Sequence, residues 1–139
     1  MQDIRWKQRH AKYCKMLNVL KESLRDKALD DFTELELIGL AKSFELLWKL
    51  LKDYLEHEEI EIGLSSPKNI LKASAVSGLF QQIGVDGDVL MQAHQTRNEL
   101  VHIYDYDIFL AALTDVKKLF LAEMVKVDDY FRKLASNDE

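Results

Sequence analysis

The stretch TELELIGLAKSFELLWKLLKDYLEH, residues 33–57, constrains this chain more than any other. Leu37, Ala41, Phe44, Trp48, Leu51 and Leu55 follow one another in steps of four and three, the spacing of one helix face. Leu40, Leu47 and Tyr54 widen that face. A helix so long, with so broad an apolar side, needs packing partners on more than one side. Thr33 followed by Glu36 reads as a capping box at its start.

The rest of the chain supplies those partners. A first helix is expected over 3–26, with Trp6, Tyr13, Leu17, Leu20 and Leu24 as its stripe, and DKALDD as a polar connection. The acidic run EHEEIEIG reads as a solvated loop, with an extended piece at Ile60 and Ile62 too short for a sheet. Ser66-Pro67 opens a third helix, serine as N-cap and proline at the first helical position. Ile70, Leu71, Ala75, Leu79 and Phe80 form its apolar side, and the glycines of QQIGVDGD end it. A fourth helix runs over 88–101 and a fifth over 108–134, the latter with Phe109, Leu113, Val116, Phe120, Val127 and Phe131 facing inward. The tail ASNDE is expected to fray. The reading is all-α: an up-and-down bundle of about five helices around a four-helix core, in a single domain over 1–139.

Composition narrows the functional classes. With 47% hydrophobic and 31% charged residues the chain belongs with globular proteins rather than disordered ones. No run approaches the roughly 20 apolar residues of a membrane span, and the N-terminus has no apolar signal core, so a cytoplasmic location is expected. Cys14 is the only cysteine and reads as a half-buried, inert thiol suited to a reducing compartment. The net charge of −5 disfavours a broad nucleic-acid surface but not a small anion pocket made by a few cations. No metal site is expected: the four histidines make no ligand motif, and His94 and His102 are separated by about 12 Å of helical rise. No intrinsic cofactor is expected either. Ser66 is better explained as a cap than as a nucleophile.

The segment RNELVHIYDYD, residues 97–107, breaks the bundle pattern. Leu90, Ala93, Arg97 and Val101 fall on one helical line, so an arginine sits in an apolar stripe and calls for an anionic partner or another subunit. His94, Asn98 and His102 are four apart and share a second face. Tyr104 and Asp105 follow. Such a group can do metal-free phosphodiester chemistry, histidine moving protons and arginine holding charge on phosphorus. One copy offers one histidine in this motif, so a nuclease would need two copies brought together. A polar helix end is the plainer reading.

Here the chain resembles a known family. RNELVHIYD is similar to the R-x4-H-x-Y signature of the HEPN superfamily of small helical proteins. The nearest branch is the nucleotidyltransferase substrate-binding proteins, often encoded beside a minimal nucleotidyltransferase. DIRWKQRHAKYCKML resembles that branch's opening helix, Phe44, Glu45, Trp48 and Lys49 its F-E-x-x-W-K helix, and SPKNILKA its S-P-[RK] helix start. The ordered set covers most of residues 3–110. The resemblance implies a homodimer with the motif near its cleft and a minimal nucleotidyltransferase as partner. It implies a substrate- or nucleotide-binding subunit, or alternatively a metal-independent ribonuclease toxin that the partner neutralises. Arg97 and His102 would be catalytic in the ribonuclease. Arg97, Asn98, His102, Tyr104 and Lys68 would hold substrate, a nucleotide or RNA, in the binding subunit. Tyr104 matches a tyrosine that is adenylylated in some toxin members. The branch often has an acidic residue two after that tyrosine; here the place is taken by Tyr106. Lys49, Lys52, Lys68 and Lys72 are the further cations of interest, Lys68 lying in the first turn of its helix, where N–H groups also attract phosphate.

Overall fold

A computed structural model describes residues 4–25, 34–100 and 106–137. Every regular element among them is helical: α1 Arg5–Arg25, α2 Glu34–His57, α3 Pro67–Val76, α4 Leu79–Ile83, α5 Gly87–Leu100, α6 Tyr106–Asp115 and α7 Leu121–Asn137. A π-helical turn, Val116–Phe120, joins α6 to α7. No described helix is long and apolar enough to cross a membrane.

The two longest stripes are where their periodicity puts them. Trp6, Tyr13, Leu17, Leu20 and Leu24 of α1 are buried, and His10 fills the gap in their row. α2 buries Leu40, Phe44, Leu47, Leu50, Leu51 and Leu55 around a wide arc. It packs on α1 along its length and on α3 and α5 with its other sides. Glu36 is buried and accepts a hydrogen bond from the Ser23 hydroxyl of α1 at 2.9 Å. Thr33 and the connection before it lie outside the described residues.

α2 ends in a Schellman motif. The Ile60 N–H bonds the Leu55 carbonyl at 2.9 Å and the Glu59 N–H bonds the Glu56 carbonyl at 3.0 Å. Glu59 therefore adopts φ 60°, a conformation that places its Cβ too close to the carbonyl that follows. Ile60 and Ile62 then lie partly buried against the core. Glu59→Gly is expected to raise unfolding free energy by about 0.5–1 kcal/mol, relief of strain exceeding glycine's extra unfolded entropy. A urea midpoint that stays put or falls would contradict this.

The expected third helix divides in two. Ser66 caps α3, its hydroxyl accepting from the Asn69 N–H at 3.3 Å, with Pro67 at the first turn. Gly78, at φ 86°, then breaks the helix axis before α4. The break leaves Ala75 exposed, contrary to the stripe read through it, and buries Ser74 instead, its hydroxyl bonded to the Ile70 carbonyl at 2.8 Å. α5 starts with Asp86 as cap, its carboxylate accepting from the Asp88 N–H at 3.0 Å. The Phe80 ring of α4 lies so close to Gly87 that a Cβ there would stand 2.9 Å from it. Glu123 of α7 accepts from the Asp86 N–H at 3.0 Å, which ties the start of α5 to α7.

The last expected helix is present over 106–137 but is not uniform. Val116, Phe120 and Met124 repeat in steps of four, which would drift off the core face of a regular helix. The wider π turn, in which the Leu121 N–H reaches the Val116 carbonyl, absorbs that drift. Just before it, the Thr114 hydroxyl bonds the Leu110 carbonyl at 2.9 Å. Val127 and Phe131 continue the buried row, whereas the side chains of Phe109 and Leu113 lie outside the described set. α7 extends through Asn137, three residues into the tail expected to fray.

Candidate functional site

α2 and α5 bring two sequence motifs together. On α2, Phe44 and Trp48 face inward, which leaves Glu45 and Lys49 at the rim. On α5, Leu90 and Ala93 are buried, but Arg97, two turns from Leu90 on the same line, emerges at 38% side-chain exposure. Its anionic partner is Glu45, with Arg97 Nη2 4.0 Å from Oε2. The Glu45 carboxylate also takes Lys49 Nζ at 2.8 Å and the Trp48 indole N–H at 3.1 Å. The Lys49 hydrogen bond outweighs partial burial, with help from Trp48 and Arg97, and holds the Glu45 carboxyl below its ordinary range. Glu45 thus stays anionic, bonded by two donors with the Arg97 charge beside them.

A second chain of contacts runs along α5. Arg97 Nη1 donates to Asn98 Oδ1 at 3.1 Å. With its oxygen so engaged, Asn98 turns its Nδ2 toward His94 Nε2 at 3.3 Å. The amide can only donate there, so Nε2 is the bare nitrogen and Nδ1 carries the proton. Nδ1 is buried without a hydrogen-bond partner among the described residues. The His94 ring stacks on Phe44, with centroids 5.7 Å apart. Burial, then the charges of Arg97 and Lys68, push the His94 pKa down. The imidazole is therefore neutral near neutral pH.

Lys68 is exposed on α3, close enough for its charge to act on His94. Arg97, Asn98 and Lys68 thus share one region of the surface with Lys49 and His94. Lys52 does not join it: its ammonium lies 3.5 Å from Glu56, which Arg5 also approaches at 3.4 Å. Beside Arg97 a shallow groove of about 310 Å³ is lined by Met16, Ala41, Lys42, Glu45, Leu46 and Arg97. His102 and Tyr104 lie outside the described residues, which resume at Tyr106, whose side chain is also outside them.

Sequence reading paired Arg97 with an unspecified anion and placed Glu45 only within the F-E-x-x-W-K pattern. Their meeting joins positions 52 residues apart, beyond the reach of any local periodicity. The local signal for Glu45 was its i,i+4 relation to Lys49. His94 appeared by spacing as an extension of the Asn98 row, and the structure makes it a full member.

No group of three or more His, Cys, Asp or Glu is placed to hold a metal ion among the described residues. What the arrangement offers is a guanidinium on a loose ion pair beside a largely apolar groove, with two lysines, an amide and a neutral imidazole in its vicinity. These groups suit an anion that also carries an apolar or planar part.

The comparisons agree with the motif order. A family model described as "Nucleotidyltransferase substrate binding protein like" matches residues 8–133. No curated protein matches the chain.

Proposed function

Because the chain belongs to the nucleotidyltransferase substrate-binding protein-like family, we propose that it is the non-catalytic subunit of a two-component nucleotidyltransferase, a homodimer that holds a nucleotide or other phosphorylated substrate for its partner. The observation that carries this reading is the Arg97 cluster. Arg97 touches Glu45 only at 4.0 Å and stays 38% exposed, so its fork can turn to a phosphate at small cost. Lys49, paired with the same Glu45 carboxylate, and Lys68, whose charge reaches His94, add positive charge nearby. The groove beside it offers Met16, Ala41 and Leu46 to the apolar part of a ligand. Glu45 acts as the resident counter-ion that a bound anion displaces from Arg97.

A minimal nucleotidyltransferase is the partner that the family description suggests, and the experiment follows from that. The chain is co-expressed with a candidate minimal nucleotidyltransferase, and the complex is assayed for nucleotide transfer. A stable complex is expected, in which Arg97→Ala lowers transfer about 10–100-fold while assembly is retained, the size of a lost charge-assisted phosphate contact. RNA incubated with the isolated protein is expected to stay intact. Cleavage of that RNA, abolished by His102→Ala, would replace the binding reading with the ribonuclease one.

A further inference from the structure

A second pocket lies where the end of α2 meets α4, and it has a different chemistry. About 220 Å³ in volume, it is lined by Tyr54, Leu55, Glu58, Ile60, Ser77, Leu79 and Gln82. None of these side chains is cationic. Leu55, Ile60 and Leu79 form an apolar wall, and Tyr54, Glu58, Ser77 and Gln82 put polar atoms on the other side. The Tyr54 hydroxyl stands near Glu58 and Tyr130. The Tyr130 hydroxyl in turn donates to the Gln82 carbonyl oxygen at 3.4 Å. Ser77 donates its proton to the Ser74 carbonyl at 3.3 Å. Burial first, then the contact with Glu58, raises the Tyr54 pKa, so this phenol keeps its proton.

Beside the Gln82 amide, the pocket offers a ligand mainly acceptors: the hydroxyl lone pairs of Tyr54 and Ser77 and the Glu58 carboxylate. Glu58 is exposed and makes no ion pair among the described residues, so its charge is not cancelled locally. A ligand for such a pocket must bring donors and positive charge on a short apolar stem. We infer that this pocket binds a small diffusible alkylammonium compound, its ammonium held by Glu58 and the Tyr54–Tyr130 hydroxyls and its methylenes laid on Leu55, Ile60 and Leu79. The site lies nine residues along α2 from Glu45, about 13 Å of helical rise, and is separate from the Arg97 groove. It stands or falls independently of the nucleotide reading.

The test is an NMR titration of the full chain with 1,4-diaminobutane, with 1,4-butanediol as the neutral match in length. Saturable amide shifts confined to the 54–60 and 77–82 segments are expected with the diamine and not with the diol. Glu58→Gln should weaken the diamine at least fivefold, and Tyr130→Phe by a smaller factor. Asp115→Asn removes the same formal charge in the groove between α5 and α6, so it should leave binding unchanged. Three results would overturn the inference: equal shifts from the diol, no saturation at any diamine concentration, or equal weakening by Asp115→Asn. The last would mark diffuse attraction to an acidic protein rather than a site.

Discussion

Phe131→Ala is expected to cost about 3–5 kcal/mol of folding stability, the range for emptying a buried aromatic position. Phe131 is fully buried and stands where α1, α2 and α7 meet. Its ring centroid lies 5.7 Å from that of Trp6, 5.2 Å from Tyr54, 6.3 Å from His10 and 5.3 Å from Tyr130. Trp6 and His10 are fixed on α1 and Tyr54 on α2, themselves held by packing, so they cannot collapse into the space left behind. Urea unfolding followed by far-UV circular dichroism measures the loss. Val76→Ala serves as control, because Val76 is 89% exposed, and it should change stability by no more than about 0.5 kcal/mol. A Phe131 variant within 1 kcal/mol of the parent, by contrast, would place the junction of the three helices elsewhere.

The second large effect concerns charge inside the same junction. Asp128 is 3% exposed, yet it accepts from His10 Nε2 at 2.8 Å and from Arg132 Nη2 at 2.6 Å. Burial pushes the Asp128 carboxyl up, but the His10 and Arg132 hydrogen bonds and their charges together overcome it and hold the group below its ordinary value. Asparagine keeps one acceptor oxygen but loses the charge and sets an amide N–H2 against either His10 or Arg132. Asp128→Asn should therefore cost about 2–3 kcal/mol at pH 7, less than a fully buried pair because Arg132 can turn to water. The folded pKa lies below the unfolded one, so this contribution is complete above the unfolded value, about 3.9 for an aspartate, and is lost as pH falls through the folded value. The stability gap between parent and variant should thus shrink as pH falls below about 4. A gap that widens as pH falls below about 4 would contradict the assignment.

Cys14 belongs to this network as a structural group. Arg132 Nη2 lies 3.1 Å from its sulfur, but burial, followed by the Asp128 charge, raises the thiol pKa and outweighs the arginine. The half-buried, inert thiol read from its neighbours is what the packing produces.

How much of this was legible in the chain depends on the range over which each feature is determined. The α1 and α2 stripes were readable because Trp6, Tyr13 and Leu17, or Phe44, Leu47 and Leu51, repeat on one face and bury on that face. The Ser66 cap was readable because a serine before a proline states its own geometry. The division at Gly78 was not, since the stripe through Leu79 and Phe80 fits an unbroken helix equally well until packing against Gly87 is known. The π turn escaped for a related reason: steps of four are tolerated by either helix type, and the core selects between them. At the candidate site, Arg97, Asn98 and Lys68 were legible by position. Glu45 as the arginine's partner and the neutral state of His94 were not, because both follow from how α5 lies on α2 and α3.

The central claim is that the Arg97 cluster holds a phosphorylated ligand, and isothermal titration of the isolated protein with a nucleoside triphosphate measures this directly. Saturable binding is predicted, weakened about tenfold or more by Arg97→Ala and strengthened by Glu45→Gln, which removes the competing carboxylate from Arg97. Unchanged affinity in Arg97→Ala, or weaker binding in Glu45→Gln, would contradict the account.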